Sequence, residues 1–235
     1  MNNLLKEFQD LLIETSDIPK DELRDYYLVP ARTFINSNPL ILNFSYYDKT
    51  PLMMVVEQII KNNNHPIREN YLNLLAMDVI EKTPVELLNY QNKYGDSVIH
   101  LTTEIESFSV GLLDILKERG ASFSLFNKKL ETPLIKIAST NSLDDLKFIL
   151  SYTDKNLINH QDYLGQSAIF YAILKRKINN IYFLIENNAE LFLKNIKNQT
   201  IFDIIRDEKY KKMSDKKYYQ ELMFILSKKL NYQIY

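Results

Sequence analysis

Residues 158–170 read Ile158-Asn159-His160-Gln161-Asp162-Tyr163-Leu164-Gly165-Gln166-Ser167-Ala168-Ile169-Phe170. The order is an apolar residue, Asn159, Asp162, Gly165, a hydroxyl at Ser167 and then an apolar run. The same order stands at Leu88, Asn89, Asn92, Gly95 and Ser97, followed by Val98-Ile99-His100. Glycine takes a positive φ without steric cost, as a tight turn requires. A hydroxyl two residues later can accept from the orphan N–H groups of a helix's first turn. The stretch therefore reads as a turn that feeds a helix.

Working outward, the helix-start slot recurs as Thr50-Pro51-Leu52-Met53, Ser97-Val98-Ile99-His100, Thr132-Pro133-Leu134-Ile135, Ser167-Ala168-Ile169-Phe170 and Thr200-Ile201-Phe202-Asp203. The intervals are 47, 35, 35 and 33 residues. Pro51 and Pro133 suit the first helical position, with φ pre-set and no donor to lose. Two positions upstream of each slot stand Asp48, Gly95, Leu130, Gly165 and Asn198. Four of these tolerate a positive φ; Leu130 does not fit. A second, one-sided helical pattern follows each slot, as in Leu143, Leu146, Ile149 and Leu150, or Ile178, Ile181, Leu184 and Ile185. Turn-forming residues close it, as in Arg119-Gly120-Ala121 and Asn187-Asn188-Ala189. The unit is helix, short turn, helix and extended hairpin, repeated about every 33 residues.

That order and spacing resemble the ankyrin repeat. The resemblance covers roughly 41–206, about five repeats. It departs at the tetrapeptide histidine, kept only as His100, and in about 14 extra residues in the first repeat around Asn62–Pro66 and Glu81–Glu86. The expected fold is all-α: an ankyrin-type helical repeat solenoid with short hairpin loops and helical terminal caps. Residues 1–40 form the N-terminal helical cap, with Leu4, Phe8, Leu11 and Leu12 on one helix and Leu23, Tyr26 and Tyr27 on a second opened by Pro19. Residues 207–235 form the C-terminal cap, where Ser214 opens a helix carrying Tyr219, Leu222, Met223, Leu226 and Leu230 on one face. No Pro- or Gly/Ser-rich linker breaks the chain, so one continuous domain is expected.

Composition limits the chemistry. The 235 residues carry 29 Lys+Arg and 30 Asp+Glu, a net charge of -1. This excludes a polybasic nucleic-acid binder and gives no bulk pull toward an anionic membrane. Cysteine is absent, so disulfides and thiolate sites are excluded, and a reducing compartment fits. Four glycines leave no phosphate-cradling loop. No apolar run reaches the roughly 20 residues of a membrane span. Glu7, Asp10, Glu14 and Asp17 interrupt the first residues, so no signal peptide is expected there. The chain is rich in Asn (23), Ile (26) and Lys (23), with only 7 Ala, which points to an AT-rich genome such as that of an intracellular bacterium or large virus.

Each polar candidate reads as structural. The resemblance implies that His100 hydrogen-bonds its own turn. His65, His100 and His160 lack metal-ligand spacing, so no metal is expected. Asp144-Asp145 and Asp207-Glu208 are adjacent acids, which do not face each other across a cleft. Asp144 and Asp145 start a helix, where acids suit its dipole. The hairpin tips stand out instead. Aligned repeats place Tyr46/Tyr47, Lys93/Tyr94, Lys128/Lys129, Tyr163/Leu164 and Ile196/Lys197 at equivalent positions. Tyrosine is an enriched hot-spot residue. The candidate partner-binding residues are therefore Tyr46, Tyr47, Lys93, Tyr94, Lys128, Lys129, Tyr163 and Leu164, with Lys136 and Tyr171 extending the surface from the first helices. The resemblance implies a non-catalytic interaction scaffold, not an enzyme. It would bind another protein through its concave face and tips, with no cofactor, metal, nucleic acid or membrane span. A cytoplasmic protein, or one translocated into a host cell to act on a host protein, is expected. The rival is an enzyme whose site is built by the N-terminal cap and the first-repeat insertion from Asp21, Glu22, Arg24, Arg32 and His65.

Overall fold

The computed structural model describes residues 1–16, 29–62, 66–105, 110–140, 142–206 and 216–232. Among them the chain is all-α, with no strand beyond one antiparallel bridge, Tyr46 to Lys49. It divides into two compact units, Met1–Lys128 and Lys129–Tyr235.

In Met1–Lys128 the helices are α1 (Asn2–Ser16), α2 (Val29–Ser37), α3 (Pro51–Lys61), α4 (Pro66–Lys82), α5 (Val85–Leu88), α6 (Val98–Thr102) and α7 (Val110–Glu118). Slot helices α3 and α6 pack on each other, as do the second helices α4 and α7, and α3 packs on α4. This gives two helical layers around one core. Helix α3 is buried along Leu52, Met53, Met54, Val55, Val56 and Ile59, so it is apolar nearly all round. Helix α1 covers it with Leu5, Phe8 and Leu12, all fully buried. Among the described residues the first repeat has the longer second helix: α4 has 17 residues where α7 has 9. Helix α2, with Ala31 and Ile35 buried, was not legible in the sequence. The cap helix expected from Pro19, with Leu23, Tyr26 and Tyr27, lies outside the described residues.

In Lys129–Tyr235 the helices are α8 (Pro133–Ile137), α9 (Leu143–Tyr152), α10 (Ala168–Leu174), α11 (Ile178–Glu186), α12 (Ile201–Arg206) and α13 (Lys216–Tyr232). Slot helices α8, α10 and α12 pack in order, and α11 packs between α9 and α13. Ala168, Ile169, Phe170 and Ala172 of α10 are fully buried. Helix α13 seats Leu222 and Leu226 but leaves Met223 and Phe224 exposed, which corrects the expected stripe. Asp207, Glu208 and Ser214 lie outside the described residues.

The helix-start slots cap as expected at four places and fail at one. Thr50 and Thr132 accept from the N–H groups of Met53 and Ile135. Ser97 forms a reciprocal box with His100, whose Nδ1 accepts from the Ser97 N–H at 3.2 Å. Thr200 and Asp203 do the same, and the two bonds from Thr200 hold the Asp203 carboxyl below its ordinary range. Ser167 has a buried hydroxyl without a partner, because the Phe170 N–H bonds to the Ser167 carbonyl instead. The second helices α7 and α11 end in Schellman turns. Gly120 and Asn188 take φ +89° and +67°, and the next N–H groups, of Ala121 and Ala189, reach back to Leu116 and Leu184.

All five turn positions have a positive φ: Asp48 +58°, Gly95 +79°, Leu130 +58°, Gly165 +70° and Asn198 +58°. The expected exception at Leu130 is thus corrected; the turn geometry prevails over the local preference of leucine. At two positions glycine is also required by space. A Cβ at Gly95 would lie 2.6 Å from the Lys128 nitrogen, and one at Gly165 would lie 2.9 Å from Asn195 Cα. A left-handed conformation costs a non-glycine residue about 1–2 kcal/mol, and Leu130 is 49% exposed, so it recovers little by packing. Leu130→Gly is expected to raise stability in urea unfolding by about 0.5–1 kcal/mol, part of the relief being offset by the freer unfolded glycine. Gly95→Ala is expected to lower it by more than about 1 kcal/mol; a loss of stability in Leu130→Gly, or none in Gly95→Ala, would refute the assignment.

Candidate functional site

The tips are built by one repeated device. At Asn92, Asp162 and Asn195 the side-chain Oδ1 accepts from the N–H groups two and four residues on: Tyr94 and Asp96, Leu164 and Gln166, Lys197 and Gln199. The backbone closes each turn, with Gly95, Gly165 and Asn198 donating to the carbonyls of the same three residues. Such Asx turns fix the two tip residues between them. The first tip is different. Tyr46 and Lys49 exchange both backbone bonds across Tyr47 (φ +46°) and Asp48, the two-residue turn of positive φ.

Successive tips are stitched by backbone bonds within each unit. In Met1–Lys128 the Lys128 N–H donates to the Tyr94 carbonyl at 2.9 Å. In Lys129–Tyr235 Tyr163 donates to Lys129 and Ile196 to Leu164, both at 2.9 Å. Side chains add a second stitch. The Gln91 amide donates to the carbonyls of Gly95 and Phe126, and the Gln161 amide to those of Gly165 and Lys194. Asn89 and Asn159 accept from the N–H groups of Ser122 and Glu190 at 2.7 Å. These four residues hold fixed offsets in residues 88–100 and 158–170, so their repetition is the signal by which the sequence could have disclosed them.

The candidate residues divide by unit. In the first, Tyr47 is 80% exposed and Tyr94 is 61% exposed. Tyr46 lies half-buried against the Tyr47 ring, centroids 4.4 Å apart, and Lys93 sits 5.1 Å from the Tyr94 ring. Lys128 is exposed. In the second, Lys129 is exposed, Tyr163 is 52% exposed, and Leu164, Lys136 and Tyr171 are half-buried. Tyr171 serves its own repeat: its hydroxyl donates to Asp162 Oδ2 at 2.5 Å, and burial, then this bond, push its ionisation upward. Ile196, 67% exposed, and Lys197 occupy the same tip row.

The other polar candidates are structural where described. His160 Nε2 donates to the Leu130 carbonyl at 2.8 Å. Asp145 is buried at the start of α9, and burial raises its carboxyl despite the Ser142 hydroxyl, with Asp144 adding to the rise. Arg32 pairs with Asp78 of α4 at 2.5 Å, while Asp21, Glu22, Arg24 and His65 lie outside the described residues. Among the described residues no group of three or more acidic or histidine side chains is placed to hold a metal ion, and no helix is long and apolar enough to cross a membrane. In the second unit an open groove of about 730 Å³ runs along Lys147, Leu150, Asn156, Ile158, Asn159 and Phe183.

No family model and no curated protein matches the chain. Among solved structures it is similar to a chain of a complex described as a predatory endopeptidase from Bdellovibrio bacteriovorus with an immunity protein. The TM-score is 0.55 and the identity 24%, covering 75% of this chain and 84% of that one. At that identity the likeness carries the fold. It overturns two expectations, that of a non-catalytic scaffold and that of a chain that is not an enzyme. Both leaned on fold resemblance, and a fold found in an endopeptidase complex no longer argues against chemistry.

Tyr163→Ala is expected to change stability by less than about 0.5 kcal/mol, as an exposed site. Tyr171→Phe is expected to cost about 1.5–3 kcal/mol, the range for a bond to a charged group. Urea unfolding of both variants checks the contrast; the reverse order would place Tyr163, not Tyr171, in the structural role.

Proposed function

We propose that this chain acts in complex with a protein partner, as one component of a peptidase-and-immunity-type pair, and that its hairpin tips make the contact. The observation that carries the reading is that each unit offers exposed aromatic or aliphatic tip residues on hydrogen-bonded turns. Tyr47, Tyr94, Tyr163 and Ile196 are large side chains offered to solvent from a backbone that is already ordered. Binding through them loses little conformational entropy, and pre-organised surfaces bind for that reason. The similar structure is itself a complex of two proteins. The recurrent turn, the His100 box and the helix pairs support an ankyrin-type repeat, with residues 1–40 and 207–235 as caps. A cytoplasmic setting, or one reached by delivery into a host cell, belongs to this proposal, as does a host protein as partner.

A second reading is favoured by the endopeptidase named in that complex: that this chain itself carries the chemistry, with a site built by the N-terminal cap and the first-repeat insertion. One experiment addresses both. The tagged full chain, beside its Tyr94→Ala/Tyr163→Ala variant, is cross-linked in source-cell and host-cell lysates, and casein cleavage is followed with and without the captured protein. The expected result is one stoichiometric partner, captured about tenfold less by the variant, as loss of hot-spot side chains implies, and a cleavage rate that changes when chain and partner combine. Equal capture by the variant would refute the tips as the contact. Casein cleavage by the purified chain alone would establish the second reading.

A further inference from the structure

We propose that the Tyr46–Tyr47 tip of Met1–Lys128 receives a basic side chain of the partner, a guanidinium or an ammonium, an assignment that rests on the partner-binding reading above. The two rings meet edge to face, with centroids 4.4 Å apart and planes at 67°. Tyr46 is half-buried and backs the contact, while Tyr47 is the most exposed large apolar side chain among the described residues. The turn beneath them is closed by the two backbone bonds between Tyr46 and Lys49. Rings set at an angle on an ordered turn offer electron-rich faces to an incoming cation.

The chain uses this chemistry on other rings. Lys93 lies 5.1 Å from the Tyr94 ring centre, Arg176 lies 5.7 Å from that of Tyr218, and Lys228 lies 4.8 Å from that of Phe224. Among the described residues Tyr47 has no such cation; its ring contact is Tyr46. Carboxylates are at hand instead. Asp48, exposed, follows Tyr47 directly and accepts from the Tyr90 hydroxyl at 3.5 Å. Burial, then Tyr47, then Asp10 of α1 raise the ionisation of the Tyr46 hydroxyl, so the exposed Asp10 lies within electrostatic reach of the rings. Neither acid is paired with a cation among the described residues. The cations of this end of the unit do not reverse the balance. Lys49 stands beside Asp48 and reaches Glu57 at 2.7 Å, and Lys93 lies on its own ring. With every charge kept, Glu7, Asp10, Glu14, Asp48 and Glu57 outnumber Lys6, Lys49 and Lys93. Such a surface draws a basic group and repels a phosphate or a carboxylate.

The test is selection of a displayed random dodecapeptide library on the full chain. The best peptide is then titrated against Tyr47→Phe, Tyr47→Ala and a chain with trifluorophenylalanine at position 47, each shown folded by circular dichroism. Fluorine withdraws electron density from the ring face but makes the ring more apolar, so cation binding and plain apolar contact respond with opposite signs. The expected result is enrichment of peptides rich in Arg or Lys, with Tyr47→Phe binding nearly as tightly as the parent. The fluorinated and Ala chains are expected to bind about two- to fivefold more weakly than Tyr47→Phe, as exposed cation–π contacts imply. Asp10→Asn/Asp48→Asn is expected to weaken the same peptide and to lessen its salt dependence. No enrichment, enrichment without basic bias, a fluorinated chain that binds as tightly as Tyr47→Phe, or indifference to the two Asn substitutions would each overturn the assignment. Should the lysate partner still be lost with Tyr94→Ala/Tyr163→Ala while any of these is seen, the partner-binding reading stands and only this assignment falls.

Discussion

The structure depends on one backbone constraint: a left-handed residue two positions before each slot helix. Asp48, Gly95, Leu130, Gly165 and Asn198 all meet it. The positive φ turns the chain sharply enough for Ser or Thr to stand at the helix start, and the same turn brings the two residues before it to the hairpin tip. Where glycine occupies the position, the next tip comes so close that a methyl group would overlap its backbone. Local conformation, packing between repeats and the exposed tip row are consequences of one torsion angle.

Polar side chains then fix the spacing that the torsion permits. Asn92, Asp162 and Asn195 fold each tip onto itself, and Gln91 and Gln161 tie it to the next. Each such bond contributes only about 0.5–1.5 kcal/mol net. Their force lies in specificity, because a slipped register would leave several amides unpaired at once. Apolar burial on α3 and α10 supplies the larger driving force but cannot by itself choose a register.

How much of this was legible follows from what each residue type can disclose. The slots were readable because hydroxyl, proline and apolar residues recur at a fixed interval. Leu130 was not, since leucine rarely takes a positive φ and only its neighbours enforce it. Ser167 reads as a cap, yet its hydroxyl goes unused because the Phe170 N–H is already bonded. Tyr171 looked like a binding residue and serves Asp162, nine positions earlier in the same repeat. The tips were legible as positions, while exposure at Tyr163 and half-burial at Tyr46 depend on packing that the pattern does not encode. Function was the least legible level. A fold resemblance suggested an inert scaffold, and the endopeptidase complex that shares the fold removed that inference.

Hydrogen exchange of individual backbone amides tests the central claim most directly. The account holds that the tip N–H groups of Lys128, Tyr163 and Ile196, though near the surface, are bonded to the preceding tip. They are expected to exchange at least about a hundredfold more slowly than the same residues in an unstructured peptide, as amides opening only with part of the fold do. Exchange of these three at unstructured rates, with the slot helices still protected, would contradict it.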